Sequence, residues 1–182
     1  MNTALLVMDM QTGILDMMAT DKAPLLGRTS ELIAAARKAG ALVVYVVLGF
    51  RKGHPEIGAS SGMFATVRQN GLFVEGTAGT EIHEALAPKP GDVVVTKHRV
   101  SAFAGTDLEM ILRANRIETL VLSGVATSGI VLSTVRHAAD ADYGLIVARD
   151  CCADRDEEVH RVLLEKVFPR QAKVVASAEI FA

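Results

Sequence analysis

The chain has 182 residues, half of them apolar, with 19 basic and 21 acidic side chains and a net charge of −2. That length suits a single domain over 1–182 with a full core; the apolar share excludes a disordered chain, and the interspersed charges exclude nucleic acid or an anionic membrane as main partner. No apolar run approaches the roughly 18–20 residues that span a bilayer, and a strand beginning at Thr3 leaves no room for a secretory leader, so the expected location is cytoplasmic.

Thr3–Met8 is a continuous apolar run, the pattern of a strand buried on both faces, and it ends at Asp9. A carboxylate at the C-terminal end of such a strand lies where open α/β sheets place their ligands; capping of the loop is the alternative. Gln11 follows on the same rim. Leu25–Ala39 has helical periodicity and stops at Gly40. Ala41–Leu48 is a second, Val-rich strand. The long polar stretch Gly49–Ala78 shows no sustained period, and such a length in a compact domain is usually functional. Phe50, Arg51, His54 and Glu56 stand nearest the strand end, where Arg51 or His54 either meets a substrate or is simply solvated.

Glu81–Leu86 reads as a short helix ended by Pro88 and Pro90, and Asp92–Thr96 as a third strand that delivers Lys97 to its end. A helix opens at Gly105-Thr106-Asp107, with Thr106 and Glu109 at capping-box spacing, and closes at Asn115. Leu120–Leu122 is the fourth strand. It leads through a small-residue turn, Ser123–Gly129, into a helix that runs to about Asp142 and buries Val131, Thr134, Val135 and Ala138. Such a turn aims free N–H groups at one spot and stabilises a phosphate, a carboxylate or an oxyanion; an ordinary connection is the alternative. Leu145–Ala148 is strand five. Cys151 and Cys152 follow it, and adjacent cysteines make poor disulfide partners, so packing is their expected role. Asp154 and Glu157 have capping-box spacing for the next helix, and Lys173–Ala176 is a sixth strand before a final helical turn.

Strand and helix alternate throughout, which predicts a three-layer α/β/α fold with a mostly parallel six-stranded sheet in Rossmann-like order. No Gly-x-Gly-x-x-Gly follows the first strand and no P-loop is present, so no dinucleotide site follows from that order. Strands one and four flank the switch point of such a sheet, which brings Asp9, Lys97 and the turn after strand four toward one cleft. An Asp and a Lys sharing a cleft form an acid–base pair whose charges tune each other. That set suits hydrolysis of a polar bond in a small molecule, but it lacks a nucleophile.

The chain resembles the isochorismatase-like cysteine hydrolase superfamily over essentially its whole length. The resemblance rests on Ala4-Leu-Leu-Val-Met-Asp9-Met-Gln11, Lys97-His-Arg-Val-Ser101-Ala-Phe103 and Gly124-Val-Ala-Thr127, with Thr134 and Arg136 beyond. It implies an Asp, Lys and Cys triad, with Asp9 as the acid–base group and Lys97 as its charge partner. It also implies a cis peptide between Val125 and Ala126 that directs N–H groups as an oxyanion hole. Counted from Gly124, the family's cysteine falls on Ile130, and Ser128 and Ser133 are the nearest hydroxyls. Gln11, Phe50, Ser101, Phe103, Val125, Ala126, Thr127 and Ser128 are the expected substrate contacts. One branch of the family uses a metal held by an Asp and two His after the second strand; His54 lacks such partners here, so neither metal nor cofactor is expected.

The resemblance further implies a homo-oligomer. The expected function is hydrolysis of an amide C–N or vinyl-ether bond of a small-molecule substrate, through the Asp9/Lys97 pair without a thiol. The alternative is a catalytically lapsed member that binds a small molecule.

Overall fold

A computed structural model describes residues 2–18 and 21–182. Six strands form one all-parallel sheet: β1 (Thr3–Met8), β2 (Leu42–Leu48), β3 (Val93–Lys97), β4 (Thr119–Val125), β5 (Gly144–Ala153) and β6 (Lys173–Val175). Their order across the sheet is β3-β2-β1-β4-β5-β6, so chain direction reverses its march between β1 and β4, where Met8 pairs with Val46 on one side and Gly124 on the other. The helices are α1 (Thr12–Leu15), α2 (Ala23–Lys38), α3 (Ala65–Gln69), α4 (Leu108–Ala114), α5 (Leu132–Asp140) and α6 (Glu157–Val162). Among the described residues no helix is long and apolar enough to cross a membrane.

The layers follow from the two-residue period of the strands. Leu6, Met8, Val44, Val46, Leu120 and Leu122 point to one face, where Leu108 and Leu112 of α4, Val135 and Ala138 of α5 and Leu163 after α6 cover them. Leu5, Val7, Val43, Tyr45 and Val121 point to the other, against Leu26, Leu32, Ile33 and Ala36 of α2. Each such aliphatic side chain, fully buried, contributes about 1.5–3 kcal/mol, which is why both faces must be covered. Truncating the wholly buried Leu6 to Ala would leave a cavity costing about 2–5 kcal/mol.

The strands expected from the sequence are present, with three corrections near the site. Lys97 is the last residue of β3 rather than the first beyond it. The stretch Glu81–Leu86 is not a helix: only Glu84–Leu86 makes a 3₁₀ turn, because Ile82 is drawn into a bridge with Gln11. Strand β5 runs on to Ala153, so Cys151 and Cys152 lie within it. Its register against β4 slips: Leu122 faces Val147 and Gly124 faces Cys152, so two steps along β4 match five along β5. That bulge throws Arg149 and Asp150 out of the ladder at the C-terminal edge.

Candidate active site

Asp9 is the first residue past β1, and its φ of +56° puts it in the left-handed region, which Asp tolerates better than most residues. Lys97 ends β3, two strands away. Lys97 Nζ donates to Asp9 Oδ2 at 2.9 Å and to the carbonyl of Arg99 at 3.0 Å. Both side chains are almost closed off, with 3% of Lys97 and 8% of Asp9 exposed. Asp9 Oδ1 is buried and has no hydrogen-bond partner among the described residues. Burial pushes the Asp9 carboxyl above its ordinary pKa, and the Lys97 ammonium only partly opposes this. A buried oxygen left without a donor is unusual in folded proteins and calls for a role. Here it leaves a basic atom, with a proton affinity raised by its surroundings, on the residue that closes β1.

The neighbouring wall is the turn after β4. The Val125–Ala126 peptide is cis, as the resemblance implies. Gly124 lies so near β1 that a Cβ there would stand 2.5 Å from the carbonyl oxygen of Met8, so only glycine lets the two strand ends approach. Thr127–Val131 forms a single π-helical turn before α5. The amides of Gly129 and Val131 return to the Ala126 carbonyl at 3.1 and 3.4 Å, while the Ala126 N–H has no acceptor among the described residues. Thr127 N–H likewise has none, so the turn keeps unpaired donors just past the end of β4.

The other expected contacts divide into those near the pair and those used elsewhere. Gln11 is wholly buried and pins β1 to β2: its amide donates to the Leu48 and Thr80 carbonyls at 2.8 and 2.9 Å and accepts from Leu48 N at 2.6 Å. Phe50 is buried among the rings of His54, Phe64 and His98. His54 itself bonds the Leu72 carbonyl, and Arg51 pairs with Glu56. Ser101 Oγ accepts from Phe103 N at 3.3 Å within its own bend. The Phe103 ring stacks on His137 with centroids 4.5 Å apart and lies beside Tyr143, which precedes β5. Ile130 is buried in the core cluster beneath α5. Ser128 is exposed, and Ser133 Oγ is bound to the Gly129 carbonyl at 2.8 Å.

Neither thiol is activated as a nucleophile. Cys151 and Cys152 are buried on opposite faces of β5, and burial pushes Cys151 up to about 11 and Cys152 higher still, so both are protonated at neutral pH. Among the described residues no three His, Cys, Asp or Glu side chains are grouped to hold a metal.

Two residues that sequence patterns misassign or pass over support the turn from behind. Asp154 does not cap α6; Asp156 does, accepting from Val159 N at 3.0 Å. Asp154 reaches back instead to accept from Ser128 N at 2.6 Å. His160 Nδ1 meets Thr127 Oγ1 at 2.8 Å.

Known proteins similar to this chain identify its family and share its fold. The isochorismatase domain model matches residues 3–179. The ureidoacrylate amidohydrolase RutB of Methylorubrum extorquens is 36% identical over 169 residues, spanning 81% of this chain and 68% of that protein. The maleamate amidohydrolase of Pseudomonas putida is 33% identical over 144 residues, spanning 79% and 67%. The crystal structure of a cysteine hydrolase from Pseudomonas syringae pv. phaseolicola superposes with a TM-score of 0.91 at 27% identity, over 99% of this chain and 91% of that one. The parallel sheet and these matches together place the chain in the isochorismatase family of hydrolases.

Proposed function

We propose that this protein hydrolyses the C–N bond of a small acyclic amide that also carries a carboxylate, with water rather than a thiol as nucleophile. The observation that carries the reading is the buried Asp9 carboxylate, paired on one oxygen with Lys97 and free on the other. Ile130, at the position where the family resemblance puts the cysteine, has no reactive atom, so the attacking group comes from solvent. The relatives' substrates, ureidoacrylate and maleamate, are amides of this class and favour amide over vinyl-ether cleavage.

In this reading Asp9 takes a proton from water as the water oxygen adds to the amide carbon. The tetrahedral oxyanion is met by the free Ala126 N–H. Asp9 then returns the proton to the amide nitrogen as the C–N bond breaks, which releases a carboxylic acid or carbamate and an amine or ammonia. The raised pKa of Asp9 suits both halves, since a base that holds its proton more firmly abstracts it more readily and remains able to give it back. Lys97 keeps the carboxylate oriented and balances its charge between the steps.

The test is ammonia release from maleamate and ureidoacrylate. Wild type is expected to turn over at least one of them, and Asp9→Asn, checked by circular dichroism for an intact fold, to lose about 10²–10⁴-fold of that rate. Equal rates in the two proteins would remove Asp9 from the chemistry. A wild type that binds but does not turn over these amides, with activity appearing only in Ile130→Cys, would identify a lapsed catalyst that keeps its pocket.

A further inference from the structure

On the far side of β4 from Asp9 and Lys97, α6, the π-helical turn after it (Leu163–Val167) and the edge strand β6 line a solvent-open cavity of about 540 Å³. Small-ligand sites fall in this size range, about 300–1,000 Å³. Leu164, Pro169 and Val174 give it an apolar floor, and Arg149, Arg161 and Lys173 stand in its wall. The one acid in the lining, Glu165, is taken by Arg161 at 3.0 Å. Arg149 and Lys173 pair with no carboxylate among the described residues. Arg149 owes its position to the β5 bulge, which lifts it out of the ladder and leaves it exposed.

Two unpaired cations, with a third already paired to the one acid, above an apolar floor match a ligand with an anionic head and an apolar body. The cavity also has a direct connection to the catalytic turn. His160 lines it and bonds Thr127, the residue after the cis peptide, at 2.8 Å.

We propose that this cavity is a second ligand site, for a small carboxylate with an aromatic or aliphatic body, and that its occupancy is transmitted to the catalytic turn through the His160–Thr127 hydrogen bond. The site is independent of the reaction assigned above, and its test does not need a substrate. Benzoate serves as the probe, with acetate as the head without the body and benzamide as the body without the charge, each titrated to ~10 mM into ¹⁵N-labelled protein, a range that reaches millimolar affinities. Saturable shifts of the Leu164 and Val174 amides are expected with benzoate alone, together with a shift at Thr127. Arg149→Gln and Lys173→Gln are each expected to weaken benzoate binding about tenfold, as the loss of one charge-assisted contact. His160→Phe and, as a second variant, Thr127→Val are expected to keep the shift at Val174; in His160→Phe the Thr127 shift is lost.

Benzoate binding that survives both the Arg149 and the Lys173 substitution unchanged overturns the site. So does acetate binding equally well, which would mean a bare anion site. Shifts at Leu164 and Val174 that depend on protein concentration and resist benzoate would show a second copy of the chain filling the cavity, and would also overturn it. A Thr127 amide that stays still while Val174 saturates overturns the connection to the turn.

Discussion

Asp9 and Asp92 lie at opposite ends of the same sheet, each in one ion pair, and their carboxylates behave in opposite ways. Asp92 precedes β3 at the N-terminal edge, where Arg37 from the last turn of α2 reaches it through both Nε and Nη2. Lys89 N donates to it at 2.7 Å, and Arg37 also meets the Tyr45 hydroxyl at 3.2 Å. Burial pushes Asp92 up, but the Arg37 and Lys89 donors outweigh it and hold the carboxyl below its ordinary range. Asp9 has a single donor, on one oxygen, and burial wins. The number of hydrogen bonds, more than the presence of a cation, decides which way each group moves. Asp92 is a clamp whose acceptors are filled; Asp9 is left incomplete at the end of the sheet where ligands bind.

The comparison breaks most sharply on substitution of the acid. Asp9→Asn is expected to lower turnover by the same about 10²–10⁴-fold and to leave the Lys97 ammonium buried without a counter-charge, at a cost of about 3–5 kcal/mol in stability. Replacing both partners, Asp9→Asn with Lys97→Met, is expected to recover most of that stability and none of the activity, because the uncompensated charge goes but the base stays absent. Urea unfolding of the two variants and of wild type measures the recovery. A double variant no more stable than the single one would mean that the pair is held for folding, as Asp92 is, and not for chemistry.

At the other end the expected effect is smaller and purely structural. Arg37→Gln removes the fork from Asp92 and the contact to Tyr45, at a cost of about 1.5–3 kcal/mol. Its kcat is expected to match wild type at temperatures where both are folded. A fall in kcat without a fall in stability would show that the N-terminal edge influences the site.

The sequence makes one of these pairs visible and conceals the other. Apolar runs alternating with helical periods are enough to order the strands, and a charged residue closing such a run marks a sheet end, so Asp9 and Lys97 stand out before any coordinates exist. Arg37 and Asp92 are 55 residues apart, on a helix end and in a loop, and no local pattern joins them. The same limit applies to Thr127 and His160, 33 residues apart. Asp154 shows how a local rule misleads: Asp154 and Asp156 both precede α6 closely enough to cap it, and only the tertiary reach to Ser128 decides which one does. The bulge in β5 is equally silent, since Arg149-Asp150-Cys151-Cys152 reads as the end of a strand until pairing with β4 shows its slipped register.

The finest distinction between the two acids is the sign of their pH dependence. Asp92 is depressed in the fold, so its contribution is present at neutral pH and is lost as pH falls below the ordinary carboxylate range through its lowered pKa. Asp9 is raised, so the folded chain binds the extra proton. Its contribution is complete below the ordinary carboxylate value and disappears as pH rises from there through its raised pKa. Each group alone sets a limiting slope of about 1.4 kcal/mol per pH unit within its window, with opposite sign. Urea midpoints taken across the acid and neutral range therefore separate them. Asp92→Asn is expected to flatten the loss of stability on the acid side and leave the neutral side unchanged. The Asp9→Asn, Lys97→Met variant is expected to leave the acid side unchanged and to gain on wild type as pH rises toward neutral. Two variants that flatten the same side of the profile would mean that Asp9 is held as an ordinary carboxylate, and the base assigned to the site would then have to be sought on another residue.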